Sequence, residues 1–215
     1  MAEDLFTSQY DVTKKSKIRK FYETNKILIF SFICILVILF GSFSFYLENK
    51  HKKKILLSDN YIQAKIYLEG GNKSKAINLL KEVIFANDPI YSSLCLFIIM
   101  NQNLITDHKE LSALFDHLLE NNKFPEEVRN LLIYKQALLN SNFVNESELL
   151  ESAKPLLSEE SLWRPHALLL LGDYFVSKGE YIKAREFYQK IFTINNLHMD
   201  LYDHARFQLA IISND

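Results

Sequence analysis

Between Ile27 and Leu47 the chain reads ILIFSFICILVILFGSFSFYL, a run without a charged side chain. A helix of that length, at about 1.5 Å per residue, reaches roughly 31 Å and matches the ~30 Å hydrocarbon core of a bilayer. A core helix in a small domain is seldom apolar on every face for so long. The run therefore predicts a membrane span. It ends in Phe43, Ser44, Phe45, Tyr46 and Leu47 with no small-residue cleavage site, so a retained anchor is expected and not a cleaved signal peptide. Tyr22 and Tyr46 suit the two interfaces, where an amphipathic ring sits between lipid and water. Cys34 reads as apolar filler inside the run.

The flanks orient the span only weakly. Lys14, Lys15, Lys17, Arg19, Lys20 and Lys26 precede it, and Lys50, Lys52, Lys53, Lys54 and Lys65 follow it. The positive-inside rule thus favours a cytoplasmic N-terminus by a narrow margin. Residues 1–26 are expected to be a basic juxtamembrane segment, with Val12, Ile18, Phe21 and Tyr22 loosely on one side of a helix. Such a helix either anchors the span or lies on an anionic leaflet.

Charge divides the chain at the same place. Residues 1–54 hold 10 Lys and Arg against 5 Asp and Glu, whereas residues 55–215 hold 15 against 21. The larger part is mildly acidic and would be repelled by phosphate backbones, which argues against nucleic acid as a partner. Its length suffices for one domain with a real core. The two cysteines, Cys34 in the span and Cys95 in the apolar run YSSLCLFIIM, supply no disulfide framework.

Beyond Lys54 apolar residues recur at spacings of three and four, and Gly and Pro fall between the periodic stretches. This predicts an all-α domain over 48–215, with helices near 48–69, 73–86, 90–104, 108–121, 125–140, 145–157, 162–178, 181–194 and 199–212. Asn72, Asp88, Asp107 and Asn145 are expected caps, and Gly70-Gly71 and Gly179 expected helix stops.

Within ALLLLGDYFVSKGEYIKAREFYQKI, Leu171, Gly172, Phe175, Gly179, Tyr181, Ala184 and Tyr188 stand at the spacing of a tetratricopeptide repeat. Small Gly172 and Ala184 would let two antiparallel helices approach, Gly179 would allow the turn, and the aromatics would fill the space between pairs. An earlier copy aligns Ala64, Tyr67, Gly71, Ala76 and Leu80 with Gly172, Phe175, Gly179, Ala184 and Tyr188. Residues 90–121 and 125–157 read as two degenerate pairs and 199–212 as a capping helix. The expected architecture is one transmembrane helix followed by a tetratricopeptide-like α-solenoid.

The order of VTKKSKIRKFYETNK, one span, SDNYIQAKIYLEGG, YSSLCLFIIM and then Trp163 leading into LLLLGDYFVSKGEYIKAREFYQKI is similar to the YfgM-like family. That resemblance implies an ancillary subunit of the bacterial SecYEG translocon. It further implies a single-pass inner-membrane protein whose periplasmic repeat domain links the channel to periplasmic chaperones.

Candidate chemistry is sparse. His198, Asp200, Asp203 and His204 cluster in sequence, but residues six apart fall on different helix faces, so no metal is expected there. His108 and His117 read as ordinary helix residues. Glu126-Glu127 and Glu159-Glu160 sit at helix starts, where they complement the helix dipole. Phosphate-loop and nucleophile-elbow patterns are missing, so neither an enzyme nor a cofactor is expected.

A binding groove is the expected alternative to catalysis. The repeat register assigns it His166, Leu169, Asp173, Val176 and Ser177 from the last pair and Ser58, Tyr61, Lys65, Leu68 and Glu69 from the first. Only Lys65 resembles a carboxylate-clamp residue. The functional expectation is a non-catalytic protein-protein interaction module. A membrane-tethered adaptor for cell division or envelope regulation stands as its alternative.

Overall fold

The computed structural model describes the backbone of residues 17–195 and 197–212, and the side chains of residues 21–195 and 197–212. Val12, Lys14 and Lys15 lie outside the described residues, as do the side chains of Lys17, Ile18, Arg19 and Lys20. The chain divides into two compact units, residues 1–55 and 56–215. Among the described residues every regular element is a helix.

The first unit consists of the greater part of α1 (Lys17–Glu69). This helix is long and apolar enough to cross a membrane, and none of its most apolar window is buried. Phe30, Val37, Ile38 and Phe40 are all exposed. The sequence reading separates the span from a helix at 48–69, whereas the backbone runs through without a break. No Pro or Gly-Gly pair stands between Leu47 and Lys54 to stop it.

The second unit opens with the last turns of α1, which end at the Gly70-Gly71 pair. Gly71 sits at φ +75° and Gly179, at the corresponding turn, at φ +73°, a region that costs a residue with a Cβ free energy. α2 (Lys73–Phe85) is capped by Asn72, α3 (Pro89–Asn101) by Asp88, and α4 (His108–Asn121) by Asp107. α5 (Glu126–Asn140) starts after Pro125 with two acids in its first turn. α6 (Glu146–Ala153) has a full capping box between Asn145 and Glu148. Each cap satisfies backbone N–H groups that a helix start leaves unpaired.

Two prolines shape the next stretch. The α6 helix is expected to run to 157, but Pro155 cannot donate to the ladder and the chain tightens into a 3-10 turn at Lys154–Leu157. Pro165 sits in the first turn of α7 (Arg164–Ser177), where its missing N–H costs nothing. α8 (Tyr181–Ile191) and α9 (Met199–Ile212) complete the chain.

The core is built in sequence order. Leu57, Ala64, Leu80, Val83, Ile84, Cys95, Leu96, Ile99 and Phe115 form one buried cluster that reaches Leu132 on α5. Ile133, Leu156 and Ala167 form a small second one. Leu149, Leu168, Leu171, Phe175, Ala184, Tyr188, Ile191 and Ala205 form the third. Helix α5 thus contributes to all three, through Leu132, Ile133 and Ala137. Ion pairs and polar contacts tie neighbouring helices: Lys81 to Glu110, Lys183 to Glu146, and His117 Nε2 to Asn87 Oδ1 at 2.8 Å. Asn87 itself has φ +58° and closes α2, a left-handed position that Asn tolerates.

Ala64, Ala76, Leu80, Gly172, Ala184 and Tyr188 are all buried, and Phe175 nearly so. Tyr67 is half-buried with Lys75 Nζ 5.5 Å from its ring centre. Tyr181 is exposed. A Cβ on Gly172 would meet the Tyr188 ring, within 2.8 Å of Cδ1 and Cζ and closer still to Cε1, so only glycine leaves room for that ring.

Candidate functional site

The residues assigned to a groove separate into two places. Tyr61 and Lys65 lie near the end of α1. Lys65 Nζ sits 5.9 Å above the Tyr61 ring, whose centre is 6.2 Å from that of Tyr91. Ser58 and Leu68 beside them are half-buried, and Glu69 is exposed. Among the described residues no hydrogen bond or ring contact joins this group to His166 or Asp173.

On α7 the assignment needs correction. Leu169 is 8 % exposed and belongs to the core, because α7 is buried on most of its circumference and Leu168, Leu170 and Leu171 are buried as well. A groove contact at Leu169 is therefore withdrawn. Val176 packs against the same cluster, and the Ser177 hydroxyl donates to the Tyr174 carbonyl at 2.6 Å. Asp173 is half-exposed but already engaged. Its Oδ1 accepts from the buried Tyr188 hydroxyl at 2.6 Å and lies 3.3 Å from His204 Nε2. Asp173 thus ties together α7, α8 and α9. His204 turns to Asp173, whereas His198 pairs with Asp200 at 3.5 Å, so the two histidines face different partners.

His166 stands in an aromatic shelf. Trp163 stacks on Tyr134 with ring centres 5.5 Å apart, and His166 lies 5.6 Å from Tyr134 and 5.2 Å from Trp163. The indole is held in place, since Trp163 Nε1–H donates to the Glu127 carbonyl at 3.2 Å. Burial, with the Lys135 charge adding to it, pushes the His166 imidazole below its usual range and keeps it neutral at physiological pH.

Two clefts open beside this shelf. One, of about 440 Å³, lies between Glu127, Val128 and Leu131 of α5 and Leu162, Trp163 and His166. The other, of about 340 Å³, lies between residues 159–162 and 164–166 on one side and Ile194, Asn195, Leu197, His198 and Leu201 on the other. Leu162, 72 % exposed, borders both. Sequence reasoning singled out Trp163 and His166 but missed Leu162 and Tyr134. The available signal was the apolar Leu162-Trp163 pair between the Glu159-Glu160 acids and the helix-starting Pro165.

Three groups resist ionisation at alkaline pH. Burial pushes the Cys95 thiol up to about 12. It also raises the Tyr188 hydroxyl, with further help from the Asp173 hydrogen bond and charge, and Tyr134 through burial and then Asp173. All three are neutral when protonated, so the folded chain keeps protons that the unfolded chain releases. Their contribution is intact below the unfolded values of about 8.5 for Cys and 10 for Tyr, and is lost as pH rises toward the folded ones. The urea midpoint is expected to hold between about pH 7 and 8 and to fall above about 9. Cys95→Ala should flatten the early part of that fall. An unchanged slope in the variant would show that the thiol ionises freely in the folded chain.

No family model, curated protein or solved structure matches the chain.

Proposed function

We propose that this chain is a membrane-anchored, non-catalytic protein-binding protein. The observation that carries the reading is α1, whose most apolar window is wholly unburied although the same chain packs Phe115 and Tyr188 completely away from water. Leaving that much apolar surface in water would cost roughly 25 cal/mol per Å². A bilayer removes the cost.

Residues 56–215 then act as a tetratricopeptide-like helical solenoid held at the membrane surface. Its support is the matched set of small and buried residues in the hairpins around Gly71 and Gly179, together with the pre-shaped aromatic shelf at Trp163. Following the resemblance to the YfgM-like family, the chain is an ancillary subunit of the Sec translocon in a bacterial inner membrane. Its N-terminus is cytoplasmic, and its helical domain is periplasmic and in reach of chaperones that receive emerging proteins.

Topology tests this directly. An alkaline phosphatase fused after Asp215 should be active, and a fluorescent protein that matures only in the cytoplasm should stay dark at the same place. The reverse pattern would remove the translocon reading and leave a cytoplasmic adaptor.

A further inference from the structure

We propose that the two clefts on either side of Leu162 form one docking groove for an extended peptide in which bulky aliphatic residues alternate with arginine or lysine. The proposal deepens the reading of this chain as a protein-binding module and rests on it.

Shape comes first. The clefts share Leu162 and His166, so an occupant of one continues into the other across the Leu162 ridge. Their volumes, about 440 and 340 Å³, suit one or two side chains each and are too small for a packed helix or domain. An extended segment points successive side chains to opposite sides. Every second residue can therefore enter an apolar wall of Val128, Leu131, Leu162 and Leu197 while its neighbours face the rim.

Charge selects those neighbours. Three carboxylates, Glu127, Glu159 and Glu160, border the clefts against one arginine, Arg164, and two imidazoles, those of His166 and His198. His166 is neutral at physiological pH and does not offset them. An acidic rim around an apolar floor complements a basic and aliphatic peptide and repels an acidic one. A guanidinium beside the Trp163 ring can also pair with Glu127, which lines the same cleft.

Preorganisation supplies the rest. Trp163 is fixed by its stack on Tyr134 and its bond to the Glu127 carbonyl, so little side-chain freedom remains to be lost on binding. A rigid aromatic beside an exposed leucine is the kind of anchor that dominates small interfaces.

The chain has a single tryptophan, so its emission reports this site alone. The full chain in detergent micelles is titrated with a short capped peptide alternating leucine and arginine, and with two counterparts alternating leucine and glutamate or serine and arginine. The leucine-arginine peptide should shift Trp163 emission saturably, and each counterpart should bind at least about tenfold more weakly. Leu162→Asp, and Glu159→Lys combined with Glu160→Lys, should each weaken binding about tenfold or more with unchanged circular dichroism, since all three side chains are exposed. A flat emission titration, equal binding of the glutamate peptide, or full binding by the Leu162→Asp chain overturns the groove. So does an emission change that follows chain concentration without peptide, which would make a second copy the occupant. The two readings fail separately. A chain with a periplasmic Asp215 reporter that ignores every peptide loses the groove and keeps the anchored module. A chain that binds the peptide with its reporter in the cytoplasm keeps the groove and loses the translocon.

Discussion

Gly172→Ala is expected to lower the stability of the helical domain by about 3 kcal/mol, at the upper end for adding one methyl to a packed core. The added carbon would lie against Tyr188, whose ring is fully buried between α7 and α8. That ring has little room to yield, because its hydroxyl is bound to Asp173 Oδ1 at 2.6 Å and pulling away would break a charge-assisted bond. Urea titration followed by Trp163 emission measures the loss. The sharper comparison uses a second background. In a Tyr188→Leu chain, which is itself destabilised, the same Gly172→Ala change should cost close to nothing, a coupling of about 3 kcal/mol between the two sites. Strict additivity would mean that the ring and the glycine are not in contact.

Placing two arginines in the middle of the apolar run of α1, Val37→Arg with Ile38→Arg, should release the chain from membranes. At the centre of a span each arginine costs about 3 kcal/mol on insertion scales, so the pair costs about 6. Both positions are exposed on α1 and belong to the first unit, residues 1–55. Carbonate extraction of isolated membranes should leave the unmodified chain in the pellet and bring the double variant into the supernatant, still with native helical content. If the unmodified chain is extracted as readily, α1 does not cross a bilayer, and its apolar surface must be covered by protein instead.

Much of the helical layout is legible in the sequence, for reasons that are local. Asn72, Asp88, Asp107 and Asn145 cap helices because a short polar side chain reaches unpaired N–H groups two or three residues on. Gly71 and Gly179 end helices because the turn needs a positive φ. The candidate span is legible because one uncharged run has a length set by the bilayer itself. These features depend on neighbours in the chain, and spacing alone reveals them.

The site was decided at longer range. Asp173 looks like a free groove acid in the sequence, and only the packing of α8 and α9 onto α7 brings Tyr188 and His204 to it, 15 and 31 residues away. Leu169 has the helical phase of a groove residue, but α7 is covered on most of its faces and leaves that position in the core. The Trp163 shelf likewise exists because α5 lends Tyr134 and the Glu127 carbonyl across a gap of 36 residues to the indole nitrogen. Capped helix starts, glycine stops and the one helix that suits a membrane are written in the chain, since caps, turns and hydropathy act within a few residues, although the uninterrupted run of α1 through residue 48 and the early end of α6 were not. Which polar groups are consumed inside the fold, and which remain to meet a partner, was settled only by the tertiary structure, because burial and hydrogen bonding are shared between helices distant in the chain.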